Sequence, residues 1–319
     1  MPKYHIITFG CQMNKADSER IAASLEKKKY QPASHINEAD LIIVNMCSVR
    51  QSAVDRVFGL APKFKKLKAK KILTGCILNQ DKGKLEEIFD KIWRRPPKST
   101  ALSKFIPISY GCNHSCAYCV VPQTRGRLVC RPPQEIVQEV KKAVENGVKQ
   151  IWLLGQNVND YSPLPFARLL KKINALPGDF QIRFTSPHPL NFSDELIQVM
   201  AESKKVAKYL NLPVQSGDDE ILKKMNRPYT VKQYQALVKK IRKRIPDLNL
   251  STDVIVGFPG ETKKQFENTV KLFKEIKFNM AYIAKYSPRP GTAAFRMKDT
   301  VPLSEKKRRE KYLKGLLVR

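Results

Sequence analysis

The sequence predicts an α/β protein: an N-terminal open parallel sheet domain over residues 1–90, a linker over 91–104, and a partial (β/α)6 barrel over 105–319. Three observations carry that prediction. Strand-like runs alternate with helix-patterned runs along nearly the whole chain, as parallel sheets require. The alternation breaks once, at the basic, proline-rich Arg94-Arg95-Pro96-Pro97-Lys98, and then restarts. Cysteines and Gly- or Pro-containing polar motifs fall just past the strand-like runs, at the edge where open sheets and barrels carry ligands.

In the first part, Tyr4-His5-Ile6-Ile7-Thr8-Phe9 reads as a strand, followed by Gly10-Cys11 and a helix from about Ala16 to Lys29. Leu41-Ile42-Ile43-Val44-Asn45 is a second strand, ending just before Cys47, with a helix from about Val49 to Leu67 after it. Lys71-Ile72-Leu73-Thr74 forms a third strand and ends at Gly75-Cys76. The three cysteines make no linear motif, but this topology puts all three on one sheet edge, where they can share one cluster. In the second part, six strand-like runs are expected at 105–110, 150–154, 180–185, 208–214, 249–256 and 281–286. Helices are expected over Pro133–Asn146, Phe166–Ala175, Ser193–Lys204, Asp218–Met225, Val231–Arg244 and Lys263–Lys277.

A chain of 319 residues with 42% apolar content can bury a sizeable core. No apolar run reaches the roughly 18 residues that cross a membrane. Met1-Pro2-Lys3-Tyr4-His5-Ile6 lacks a signal-peptide pattern, so a cytoplasmic protein is expected. The 59 Lys+Arg against 29 Asp+Glu give a net charge of +30, which favours a polyanionic partner over a merely soluble Lys-rich surface. The charge concentrates at Lys63, Lys65, Lys66, Lys68, Lys70 and Lys71, and again at Lys306, Lys307, Arg308, Arg309, Lys311 and Lys314; either run also suits a solvated helix face. Seven cysteines in a cytoplasmic chain point to metal binding or catalysis rather than disulfides.

The strongest motif follows the first barrel strand: Gly111-Cys112-Asn113-His114-Ser115-Cys116-Ala117-Tyr118-Cys119, a C-x3-C-x2-C loop. Three soft thiolates suit a four-iron cluster whose fourth iron stays free for a ligand. Zinc is the rival, but a structural zinc site wants four closed ligands, and His114 is too close in sequence to complete one. Cys130 stands apart and reads as a structural thiol.

This loop, with an aromatic residue before its last cysteine, resembles the radical-SAM superfamily signature. The resemblance implies that Cys112, Cys116 and Cys119 hold a 4Fe–4S cluster. Its open iron would bind S-adenosyl-L-methionine, whose reductive cleavage yields a 5′-deoxyadenosyl radical. Thr8-Phe9-Gly10-Cys11-Gln12-Met13-Asn14, Asp17-Ser18-Glu19, Asn45-Met46-Cys47-Ser48-Val49-Arg50 and Thr74-Gly75-Cys76 narrow the likeness to the methylthiotransferase family. There the counterparts of Cys11, Cys47 and Cys76 hold an auxiliary 4Fe–4S cluster that supplies sulfur. Val120-Val121-Pro122, Thr124-Arg125-Gly126-Arg127 and Leu154-Gly155-Gln156-Asn157-Val158-Asn159 are similar to the MiaB-type, tRNA-modifying branch.

That branch implies methylthiolation of N6-isopentenyladenosine at position 37 of a tRNA anticodon loop, with an electron donor such as flavodoxin or ferredoxin and a monomeric enzyme. The alternatives are the RimO-like branch, which modifies a ribosomal-protein side chain, and a shortened RNA-binding descendant without chemistry. The resemblance places Tyr118, Gly155, Gln156, Asn157, Ser186, Gln215 and Gly257 against the cofactor. His188 is left as a structural histidine, and Arg125, Arg127 and Arg289 as anion contacts. Two departures from the family pattern stand out. The interval from Cys76 to Cys112 is short, which implies a first domain without its last strand and helix. The chain also ends soon after the barrel, where family members continue into a β-rich RNA-binding module called TRAM, so a short form or a fragment is expected.

Overall fold

The computed structural model describes residues 1–49, 51–93 and 104–317; Arg50, residues 94–103 of the stretch read as the linker, and Val318 and Arg319 lie outside them. The first sheet is wholly parallel. Its strands are β1 (Lys3–Phe9), β2 (Gln31–Pro32), β3 (Leu41–Cys47), β4 (Lys70–Cys76) and β5 (Lys91–Trp93), in the order β2-β1-β3-β4-β5. β3 is buried along its whole length because helices cover both faces. On one face α1 (Gln12–Glu26) sets Ile21 and Leu25 against Leu41 and Ile43. On the other, α2 (Gln51–Gly59), α3 (Ala61–Lys65) and α4 (Asn79–Glu86) set Val54, Val57, Phe64 and Leu85 against Ile42 and Val44. Alternate β3 residues thus feed two separate apolar layers, as the period of two dictates.

Three expectations for this part change. α1 starts at Gln12, directly after Cys11, rather than near Ala16. Its first turn buries polar Asn14, so apolar periodicity begins later than the helix does. The single helix expected from Val49 to Leu67 is two, α2 and α3, because Pro62 sits in the first turn of the second, where a proline starts a helix rather than continues one. Lys91–Trp93, read as linker, pairs with Ile72–Thr74 as a fifth strand, with α4 leading into it from β4.

The second sheet begins with β6 (Phe105–Pro107). A short antiparallel pair follows, β7 (Ser109–Tyr110) with β8 (Val129–Cys130), and then β9 (Gln150–Leu154) and β10 (Gln181–Phe184). β11 (Tyr209–Asn211), β12 (Asn249–Val256) and β13 (Met280–Lys285) complete it. The ladders β6-β9-β10 and β11-β12-β13 are parallel, and an Ile182–Val206 bridge joins them into one six-stranded partial barrel. Helices α5 (Val121–Arg125), α6 (Pro133–Glu145), α7 (Phe166–Asn174), α8 (Asp194–Glu202), α9 (Asp219–Lys224), α10 (Val231–Arg244) and α11 (Lys263–Ile276) lie between the strands. Ser193, Asp218, Thr230 and Thr262 cap helix starts, the last two in reciprocal boxes with Gln233 and Gln265.

A final helix, α12 (Leu303–Gly315), carries the C-terminal basic run. Only part of that run faces water. Lys306 is buried and bonds Asp299 at 2.5 Å, and Arg309 is buried and bonds Glu261 at 2.6 Å. The two sheets meet through α1. Met13 and Ala16 pack with Phe105 and Leu154, and the buried Arg20 guanidinium reaches Tyr110 Oη and Glu139 Oε1, each at 2.8 Å.

Candidate functional site

Cys11 caps the start of α1, and Cys47 and Cys76 are the last residues of β3 and β4, directly paired across the ladder. A buried polar network fixes their strands. The Asn14 amide donates to Asn45 Oδ1 at 2.7 Å and to the Met46 carbonyl at 3.0 Å. Asn45 in turn donates to the Asn14 carbonyl and to Ser18 Oγ, whose hydroxyl also meets Thr8. Thr8, Asn14, Ser18 and Asn45 are thus the joinery under the cysteines, paired with one another as buried polar groups generally are. Gly75 is required between them: its φ is +108°, and a Cβ there would lie 2.1 Å from the Met46 carbonyl oxygen. The Cys47 and Cys76 sulfurs share a hydrogen bond, which holds the Cys47 thiol low and, with burial, pushes Cys76 well up.

The barrel triplet lies in the loop after β7. Each sulfur there accepts one N–H: Cys112 from His114 N at 3.4 Å, Cys116 from Arg227 Nη1 at 3.4 Å, and Cys119 from Val121 N at 3.5 Å. Burial pushes the Cys119 thiol up to about 12 and raises Cys112 as well. Buried thiols of this kind stay protonated until a metal displaces the proton. The donor set fits a cluster: three sulfurs, each with one N–H bond of the type that tunes iron–sulfur ligands. Among the described residues, no three His, Cys, Asp or Glu side chains converge tightly enough for a single metal ion. A four-iron cube asks for thiolates set wider apart than one ion does.

Neighbouring loops hold this loop in place. Ala117 N donates to the Met225 carbonyl at 2.9 Å, and the Ala117 carbonyl accepts from Ala294 N at 2.7 Å. Tyr118 packs in an apolar cluster with Ile221, Phe258 and Tyr286, which brings the cluster loop against the turn after β12. Gly155 lies so close to Ser109 that a Cβ would sit 2.8 Å from its hydroxyl. Gln156 Oε1 accepts from Gly111 N at 2.7 Å. Asn157 is buried just past β9, and both polar atoms of its side chain lack a hydrogen-bond partner. Ser186 and Gln215 end their strands in left-handed backbone, at φ of 55° and 70°. Gly257 N donates to Glu261 at 2.6 Å, and the Lys306 stem occupies the space where a Cβ would go, 2.3 Å from Lys306 Cγ. The turn after β12 is therefore backed by the final helix.

Sequence reasoning missed Arg227 and, for His188, Arg125 and Arg289, the partners the fold brings to them. His188 is more than a satisfied core histidine. It stacks on His114 at 4.4 Å with the rings 7° apart, and its Nε2 has no hydrogen-bond partner. Burial, then Arg227 and His114, hold its pKa down at about 3, so the ring is neutral. Arg227, buried beside Cys116 with Tyr229 bonded to its Nε at 2.9 Å, had no signal beyond the Asn226-Arg227-Pro228 turn after a short helix. Arg125 reaches from α5 to the first sheet and donates from Nε to Cys76 Sγ at 2.9 Å. Arg289, after β13, also crosses over, to Gln51 Oε1 at 2.6 Å.

The chain matches the radical SAM superfamily over residues 106–273 and the uncharacterized protein family UPF0004 over residues 3–93. It is 39% identical over an alignment of 355 positions to the tRNA-2-methylthio-N(6)-dimethylallyladenosine synthase of Dictyoglomus thermophilum, covering 97% of this chain and 81% of that protein. It is 40% identical to the synthase of the same name from Caldicellulosiruptor saccharolyticus, covering 94% and 74%. In fold it is similar to the radical S-adenosylmethionine methyltransferase TsrM of Kitasatospora setae, with a TM-score of 0.65, 13% identity, and coverage of 92% of this chain and 75% of that one. The cobalamin-dependent S-adenosylmethionine radical enzyme OxsB is similar at a TM-score of 0.58 and 10% identity, covering 99% and 55%. Sequence identity over most of both chains, together with two cysteine triplets at two sheet edges, makes this chain a member of the radical SAM superfamily and, within it, of the tRNA-2-methylthio-N(6)-dimethylallyladenosine synthase family.

Proposed function

We propose that the chain methylthiolates the adenine ring of N6-dimethylallyladenosine in tRNA, using two 4Fe–4S clusters and S-adenosyl-L-methionine. Cys112, Cys116 and Cys119 hold one cluster in a barrel domain, and Cys11, Cys47 and Cys76 hold the other in a sheet domain. When bound, these groups supply the radical and the sulfur; the hard chemistry belongs to them and the positioning to the protein. The unpartnered Asn157 amide and the tight Gly155-Gln156 turn bind the amino-acid end of the cofactor. Ser186, Gln215 and the Gly257 turn line the rest of it, with Tyr118 closing one side. The His114–His188 stack and Arg227 wall the cluster loop.

The observation that carries this reading is a contact from the barrel to the first triplet across the domain boundary: Arg125, six residues after Cys119, donates to Cys76 at 2.9 Å. The basic surface suits a tRNA anticodon loop, whose bases are already largely unpaired. Among the described residues no helix is long and apolar enough to cross a membrane. A cytoplasmic monomer reduced by a small flavodoxin- or ferredoxin-type donor completes the proposal.

Separate substitution of the two triplets tests it. Anaerobic reconstitution of the parent should give about eight irons per chain. Cys112→Ala, Cys116→Ala or Cys119→Ala should abolish both 5′-deoxyadenosine and methylthio-adenosine. Cys11→Ala, Cys47→Ala or Cys76→Ala should lose only the methylthiolated product while cofactor cleavage persists. A Cys47→Ala protein that keeps its iron and still methylthiolates tRNA at the parent rate would defeat the two-cluster reading.

A further inference from the structure

Arg125 closes α5, a helix of the barrel domain, yet both its partners belong to the first sheet domain. Its Nε donates to Cys76 Sγ at 2.9 Å and its Nη2 faces Asp17 Oδ2 at 3.3 Å. The side chains of Arg125 and Asp17 are 10% and 1% exposed, so water does little to screen the contact. A guanidinium keeps its charge in such surroundings. Arg125 is thus a fixed cation with an N–H on a ligand sulfur, and hydrogen bonds to the sulfurs are among the levers that set iron–sulfur potentials. A cluster gains negative charge on reduction, and a nearby cation stabilises the reduced form more than the oxidised one.

We infer that Arg125 is a positioning residue that raises the reduction potential of the group held by Cys11, Cys47 and Cys76, so that a barrel residue sets the electronic state of the sheet domain's site. The inference rests on the proposal that these three cysteines hold a cluster. A purely structural tether between domains would use the same contacts but leave the potential alone.

The test uses the full chain with Cys112, Cys116 and Cys119 replaced by Ala, so that one cluster remains, and reads iron content and midpoint potential by anaerobic titration followed by EPR. Arg125→Met should keep its four irons and shift the reduction equilibrium at least tenfold toward the oxidised form, 59 mV lower for one electron. Arg125→Lys, which keeps the charge but not the forked donor, should fall between Met and the parent. The same ordering should appear in the two-cluster protein, where the auxiliary signal is the one that Cys47→Ala removes. Unchanged potential in a fully loaded Arg125→Met protein overturns the inference. Loss of iron in both Arg125 variants, with the parent loaded, also overturns it in favour of a scaffold role. Failure of the parent to take up iron instead refutes the cluster assignment on which the inference stands.

Discussion

Replacing Arg309 by Met should destabilise the barrel by about 3–5 kcal/mol, the usual cost of leaving one partner of a buried ion pair uncompensated. The Arg309 and Glu261 side chains are 4% and 1% exposed, and Nη1 meets Oε2 at 2.6 Å. With the charge centres about 4 Å apart and an effective dielectric of about 20, the lost attraction is about 4 kcal/mol. Met also gives up the guanidinium's place over the Phe266 ring, 5.2 Å from its centroid, so the loss is electrostatic on both counts. Glu261 then retains only the Gly257 N–H, and the turn after β12 should loosen with it.

The Glu261→Gln/Arg309→Met double variant should recover much of the loss, because an amide oxygen still accepts from Gly257 without a buried charge. Burial already raises the Glu261 pKa in the parent, against the opposing pull of its hydrogen bonds. Removing Arg309 raises it further. A carboxyl whose folded pKa lies above its unfolded value binds more protons when folded, so stability falls as pH rises through the folded value. The Arg309→Met deficit should therefore shrink on acidification. Urea unfolding followed by CD and by tryptophan fluorescence, at neutral and mildly acidic pH, measures all three quantities. A deficit below about 1 kcal/mol, or one that grows toward acid, would refute the reasoning.

Two further outcomes follow from the site. Gly75→Ala forces a side chain into backbone at φ of +108° and against the Met46 carbonyl, so it should cost at least about 1–3 kcal/mol and lower the iron held by the first triplet; a normal urea midpoint with full iron contradicts this. Asn157→Ala should weaken binding of S-adenosylhomocysteine roughly ten- to hundredfold by calorimetry, the value of one or two ligand hydrogen bonds. Because the Asn157 amide has no protein partner, the same change should not lower the melting temperature of the ligand-free protein; a lower melting temperature with unaltered affinity would make Asn157 structural.

By itself the sequence determined the alternation of strands and helices, and with it the parallel sheets. It also determined the two cysteine triplets and their place at or just after strand ends, because these depend on local runs such as Leu41–Val44 followed by Cys47 and on the contiguous C-x3-C-x2-C loop. The likeness in the flanking motifs carried the chemistry. Helix starts were less legible where polar residues are buried: Asn14 belongs to a network closed by Asn45, 31 positions away, which local periodicity does not register. Tertiary structure alone decided the pairing of distant charges. Lys306 and Arg309 read as members of a solvated basic run, and only the fold brings Glu261, 48 positions from Arg309, into contact with it. The His114–His188 stack, the Arg227 contact on Cys116 and the reach of Arg125 to Cys76 are of the same kind. Each joins residues through space, at separations where chain entropy leaves no local pattern and only the packing of two sheets sets the distance.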